Sequence, residues 1–170
     1  YLYDKVGMYD TVRAVMCGQT STQALQHAWQ QTDDIHTHML YFLENHDEQR
    51  IASHFFAGKA EKGIPATIAT ALMRTNPVML YAGQEYGEEG MDSEGFSGKD
   101  GRTTIFDYWC VPSLYHAYVD RRKLTAEEKH LHTAYQAIMQ IAAKEKAVAE
   151  GEFFDLMYVN QHLHDVYAYL

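Results

Sequence analysis

The chain has 170 residues, 46% hydrophobic and 22% charged, which suffices for one soluble domain with a core of its own. Its 23 acidic residues against 14 basic ones give a net charge of −9, which excludes partners that need basic stripes: nucleic acid and anionic membrane surfaces. No apolar run is long enough to span a bilayer, and no signal-peptide pattern is read in these residues.

In chain order, Tyr1-Leu2-Tyr3 reads as the stub of a strand that ends at Asp4-Lys5. The chain opens inside that strand without an initiator Met, so it reads as a fragment. Thr20 or Ser21 can cap a helix through roughly Asp33, with Leu25, Ala28, Trp29 and Thr32 on one face. Met39-Leu40-Tyr41-Phe42-Leu43 is a short apolar, aromatic-rich run of the kind that forms a strand buried on both faces. Gly63-Ile64-Pro65 opens a second helix, since Pro is tolerated in a first turn. Ile64, Ile68, Ala71 and Leu72 give that helix an apolar face, and Asn76-Pro77 stops it. Val78 to Ala82 follows as a third strand and ends at Gly83-Gln84-Glu85. Strand, helix, strand, helix, strand implies parallel β/α units.

From Glu88 to about Lys123 the sequence is rich in glycine and reads as one long functional loop. Thr125-Ala126-Glu127-Glu128 is a capping box, with a helix to about Glu145 carrying Leu131, Tyr135, Ile138 and Ala142. Phe153 to Val159 and Val166 to Leu170 read as two strands joined by a turn. Cys17 and Cys110 have no metal-ligand spacing and read as small buried apolar residues.

Chemistry concentrates where the central strand ends. Met39 to Leu43 is followed at once by Glu44, Asn45, His46 and Asp47. In parallel α/β folds the C-terminal ends of strands carry the reactive groups. An Asn, a His and a carboxylate there can bind sugar hydroxyls, hold a metal or move a proton; the same tripeptide is also a good turn. The acidic chain, with 13 Tyr, 7 Phe and 2 Trp, suits a neutral ligand such as a sugar.

FLENHDEQR, followed further on by NPVMLYAGQEYGEEG, resembles the alpha-amylase family of retaining glycoside hydrolases. The resemblance implies an α/β fold: these residues are the last three β/α units, strands six to eight, of a TIM-type (β/α)8 barrel, followed by the start of a small all-β C-terminal domain. Asn-His-Asp would close strand seven and Gly-Gln-Glu strand eight. On this reading residues 1–148 are the C-terminal part of the catalytic barrel and 149–170 the first strands of the β domain. A complete barrel needs eight such units and about 250 residues, so the N-terminal barrel half is missing from this chain.

The resemblance further implies cleavage of α-1,4-glucosidic bonds in starch, glycogen or malto-oligosaccharides with retention, through two carboxylates about 5 Å apart. The family's nucleophile lies in an Arg-x-Asp motif and its general acid is a Glu one strand later; neither is found here. Asp47 matches the third family carboxylate, which stabilises the distorted sugar ring. His46 matches a donor to a neighbouring hydroxyl. Arg50 is a candidate substrate-binding residue that could instead pair with Asp47 or Glu44. Asn45 is read as holding the turn, Gln84 and Glu85 as holding their loop, and Tyr3 and Asp4 as lesser candidates on the first strand. No metal ligand is assigned; calcium is possible in the parent protein through residues outside this chain. The isolated 170 residues are expected to be inactive. Two other readings remain: a non-catalytic fragment that binds α-glucan, and a metal-dependent hydrolase using His36, His38, His46, Asp47 and His54.

Overall fold

The computed structural model describes residues 1–90, 100–103 and 111–170. They fall into two compact units: residues 1–42, 65–79 and 138–170, and residues 43–64 and 80–137.

The first unit holds a parallel sheet in the order β1 (Leu2–Tyr3), β2 (Met39–Phe42), β3 (Val78–Met79). Leu2 pairs with Met39, and Tyr41 with Val78. Parallel neighbours need a crossover that returns the chain to its starting edge. Here α1 (Asp10–Met16) and α2 (Ala24–Gln30) lie between β1 and β2, and α3 (Gly63–Leu72) between β2 and β3. Tyr41 and Phe42 are fully buried, as an apolar run covered on both faces requires. Tyr9 stacks on Phe42 at 4.9 Å between ring centroids.

The segment after β1, which the sequence left without an element, is helical. Lys5–Tyr9 forms one π-turn that runs into α1. Asp4 starts it by accepting the Met8 N–H at 2.8 Å, and Met8, Tyr9 and Val12 point into the core. Gly7 is required there because a Cβ would collide with the Asp4 carboxylate.

Three expected elements are shorter or turned differently. The helix expected from Thr20 to Asp33 is split into α2 and a 3₁₀ segment, Asp33–His38. The buried side of α3 consists of Ala66, Thr67, Thr70 and Ala71, whereas Ile68 is 37% exposed. Positions 66 and 70, and 67 and 71, are one helical turn apart, and their small side chains permit close packing. The largest apolar residues were therefore the wrong guide to the face. The ladder of β3 ends at Met79, not at Ala82. At the C-terminal end, Asp155 and Tyr169 form a single antiparallel bridge, flanked by reciprocal Phe154–Leu170 hydrogen bonds of 2.9 Å. Cys17 is half-buried rather than enclosed, and Cys110 lies outside the described residues.

In the second unit the capping box forms as read. The Glu128 N–H donates to Thr125 Oγ1 at 3.1 Å, and the Thr125 N–H to Glu128 Oε2 at 2.7 Å. It starts α5 (Ala126–Lys144), whose Leu131 and Tyr135 are buried. Within the expected long loop lies a further helix, α4 (Pro112–Tyr118), with Pro112 in its first turn. Ala117 of α4 packs with Tyr86 and Leu124.

Candidate active site

Asn45, His46 and Asp47 come two residues after β2 and form a tight turn rather than a continuation of the strand. Asn45 Oδ1 accepts the backbone N–H of Asp47 at 2.8 Å and of Glu48 at 2.9 Å. This is an Asx turn: a short side chain replaces the backbone acceptor that the strand no longer supplies. Asn45 therefore holds the turn, as the sequence suggested. The turn presents the next two side chains to solvent. His46 is 47% and Asp47 65% exposed, with His46 Nε2 lying 3.3 Å from Asp47 Oδ2.

The base of the turn is closed by buried charge. Glu44 and Arg50 are each 2% exposed at their side chains, and Arg50 Nη1 donates to Glu44 Oε2 at 2.7 Å. The other carboxylate oxygen accepts the Ile51 N–H at 2.7 Å. Glu44 thus spans the loop from its first residue to its last. Burial pushes the Glu44 carboxyl up, while the Arg50 guanidinium and the Ile51 N–H pull it back. Of the two partners left open for Arg50, the one it takes is Glu44.

The rest of the guanidinium is engaged as well. Nε and Nη2 donate to Thr103 Oγ1 at 3.2 and 2.8 Å, and Nη2 also to the Ala82 carbonyl at 3.0 Å. The guanidinium stacks over the Tyr81 ring, 4.3 Å from its centroid. The Arg50 backbone N–H donates to the Gly101 carbonyl at 2.6 Å. Three stretches meet here: residues 44–51, 81–82 and 101–103. Sequence reasoning did not find Tyr81, Gly101 or Thr103. The only local signal was the turn dipeptide Asp100-Gly101, whose glycine has φ +81°.

Glu85 acts within its own loop, and Gln84 ties that loop to α5. Gln84 Nε2 donates to the Tyr135 hydroxyl at 3.2 Å, and Glu85 Oε2 accepts the Gly83 N–H at 3.0 Å. In the first unit Tyr3 is exposed, while Asp4 is buried as the cap described above. His36 bonds Thr75 Oγ1 at 3.2 Å, and the His54 ring lies tilted against Phe55 at 4.1 Å between centroids. Among the described residues no three His, Cys, Asp or Glu side chains come together to hold a metal ion. Among the described residues, too, no helix is long and apolar enough to cross a membrane.

Residues 10–150 match the family described as alpha amylase, catalytic domain. That match covers most of the chain, and the chain belongs to the alpha-amylase family of glycoside hydrolases. No curated protein matches it. Among solved structures it is similar to AmyP, crystallised as a Glu-to-Gln variant in complex with maltotriose, with a TM-score of 0.64 and 20% identity. The match covers 91% of this chain and 34% of that one, so the chain spans about a third of the neighbour's length. The three parallel strands and their helices are accordingly part of a TIM-type barrel.

Proposed function

We propose that this chain supplies strands six to eight of the barrel of an enzyme that cleaves α-1,4-linked glucans with retention. Asp47 is its transition-state-stabilising carboxylate. The observation that carries the reading is the Asp47 turn itself: a solvent-facing carboxylate at a strand's C-terminal end, on a backbone held by Asn45 and closed by Glu44 and Arg50.

The chemistry follows from that placement. Retaining cleavage needs a nucleophile and a general acid about 5 Å apart. The sequence contains no Arg-x-Asp, and on this reading both groups belong to parts of the enzyme outside these 170 residues. What Asp47 adds is charge-assisted hydrogen bonding to ring hydroxyls, about twice as strong as a neutral bond. Where those bonds strengthen as the ring flattens, they raise the rate and not only the affinity. His46, adjacent and half-exposed, donates to a neighbouring hydroxyl. Arg50 supports substrate binding by holding the loop that presents both. AmyP, the neighbour, is bound to maltotriose, which favours an α-glucan as the ligand here.

Residues 1–148 are read as the barrel part and 149–170 as the opening of a C-terminal β domain, a reading supported by the Phe154–Leu170 pairing. By the resemblance, calcium in the parent protein would be held by residues outside this chain. No step above passes through a metal.

The test uses the full-length enzyme. Malto-oligosaccharide cleavage should release products with the α configuration, seen by proton NMR before mutarotation. Asp47→Asn should lower kcat/KM on the order of 10²–10³-fold, the usual cost of removing one preorganised transition-state contact. A β product, or a variant within a few-fold of wild type, would sink the reading. The isolated 170 residues should show no turnover; cleavage by them that Asp47→Asn abolishes would overturn that part.

A further inference from the structure

We propose that Thr103 is a positioning residue for Asp47: through Arg50 and Glu44, it lets the segment that follows β3 set where the catalytic turn stands. The inference rests on the role of Asp47 given above.

The path is short, and it is buried from Thr103 as far as Glu44. Thr103 is 1% exposed, and among the described residues its hydroxyl is the sole acceptor for Arg50 Nε and one of two for Nη2. A guanidinium is a rigid plane with donors in fixed directions. With Nε and Nη2 fixed on Thr103, the direction of Nη1 is set, and Nη1 holds Glu44 Oε2 at 2.7 Å. Glu44 is the residue before Asn45, whose side chain folds the backbone of Asp47 into place. A second strand of the same suture is backbone, from the Arg50 N–H to the Gly101 carbonyl. Asp47 touches neither Thr103 nor Arg50 in any hydrogen bond described here, so whatever Thr103 does for catalysis passes through the loop.

The site shows why the hydroxyl matters more than its bulk. Ala82 O takes only Nη2. Without Oγ1, the Nε donor is buried without an acceptor, and the guanidinium gains by tilting toward any other one. A tilt displaces Glu44 and with it the turn. Displacements of about 1 Å at a catalytic group cost up to about 10²-fold in rate.

The experiment is a double-mutant cycle on malto-oligosaccharide cleavage by the full-length enzyme, with thermal unfolding recorded for every variant. Thr103→Val keeps the shape and removes the hydroxyl. It should lower kcat about tenfold with KM roughly unchanged, and Thr103→Ser should recover most of the loss. In an Asp47→Asn background Thr103→Val should cost almost nothing further, because the group it positions has gone. An equal loss in both backgrounds, or no loss in the wild-type background, overturns the proposal. Should Thr103→Val not fold, Thr103→Ala carries the same cycle. If Asp47→Asn alone leaves activity intact, the reading of Asp47 fails first, and an unaltered cycle at Thr103 shows the two failures apart.

Discussion

Arg50 in one unit and Arg74 in the other are built from the same parts. Each guanidinium lies over an aromatic ring, Tyr81 at 4.3 Å and Trp29 at 5.2 Å, and each pairs with a carboxylate. They differ in the partner. Glu44 is 2% exposed and accepts a backbone N–H besides, whereas Asp33 is 59% exposed and paired to Arg74 at a rim. An ion pair removed from water on both sides is worth little as a pair and a great deal as a constraint: breaking one half strands a charge. A pair with one member in water leaves that member a cheap alternative, namely water. The first arrangement suits a loop that must stay put; the second suits packing.

The largest test of this contrast is Glu44→Ala in the intact protein. It leaves Arg50 buried without its counter-charge and should cost about 3–5 kcal/mol in chemical denaturation. The double change Glu44→Leu with Arg50→Met should restore most of that stability, yet not the activity that depends on the turn. A single variant that loses less than about 1 kcal/mol would mean that the pair is hydrated, and the contrast would collapse.

Next in size is the buried phenol of the central strand. Burial, and secondarily Asp4, pushes the Tyr41 hydroxyl up to about 12 from its usual 10. The unfolded chain therefore ionises first as pH rises, so this group's contribution is fully present below pH 10 and is lost between pH 10 and 12. The loss should reach about 2–3 kcal/mol. Denaturation midpoints across that range should fall more steeply for wild type than for Tyr41→Phe; parallel curves would remove Tyr41 from the account.

Smaller effects belong to exposed partners. Thr125→Ala removes half of the capping box at α5 and should cost about 1 kcal/mol, with Thr125→Ser close to wild type in urea unfolding. Asp33→Asn keeps an acceptor oxygen against the buried Arg74 guanidinium, and should therefore cost about 1 kcal/mol, well below Glu44→Ala. A loss as large as that of Glu44→Ala would show that the rim pair is no rim pair.

What could be read in the sequence was what is local. The apolar run of β2, the Asn-His-Asp turn after it and the Thr125–Glu128 box each lie within a few residues, and each formed. The Glu44–Arg50 pairing was visible as an option because six residues separate the two. Thr103 was not, because it meets Arg50 across 53 residues and a lone threonine in a glycine-rich stretch carries no mark. The helix Asp10–Met16 was missed for another reason: it has no side-chain cap of its own and grows out of a π-turn that Asp4 caps, so the usual capping spacing does not apply. On α3, the expected face of Ile64, Ile68, Ala71 and Leu72 held at Ala71 and failed at Ile68, and packing added Ala66, Thr67 and Thr70.

Gly90 and Gly101 lie against each other: a Cβ on Gly90 would stand 2.9 Å from the Gly101 carbonyl, and one on Gly101 would stand 2.5 Å from Ser53 Oγ. The chain leaves and returns at a pinch that only glycine can form, at φ +61° and +81°. Gly101 also carries the carbonyl that accepts the Arg50 N–H, so a side chain at either glycine would press on the anchor beneath Asp47 and be felt at the turn it holds.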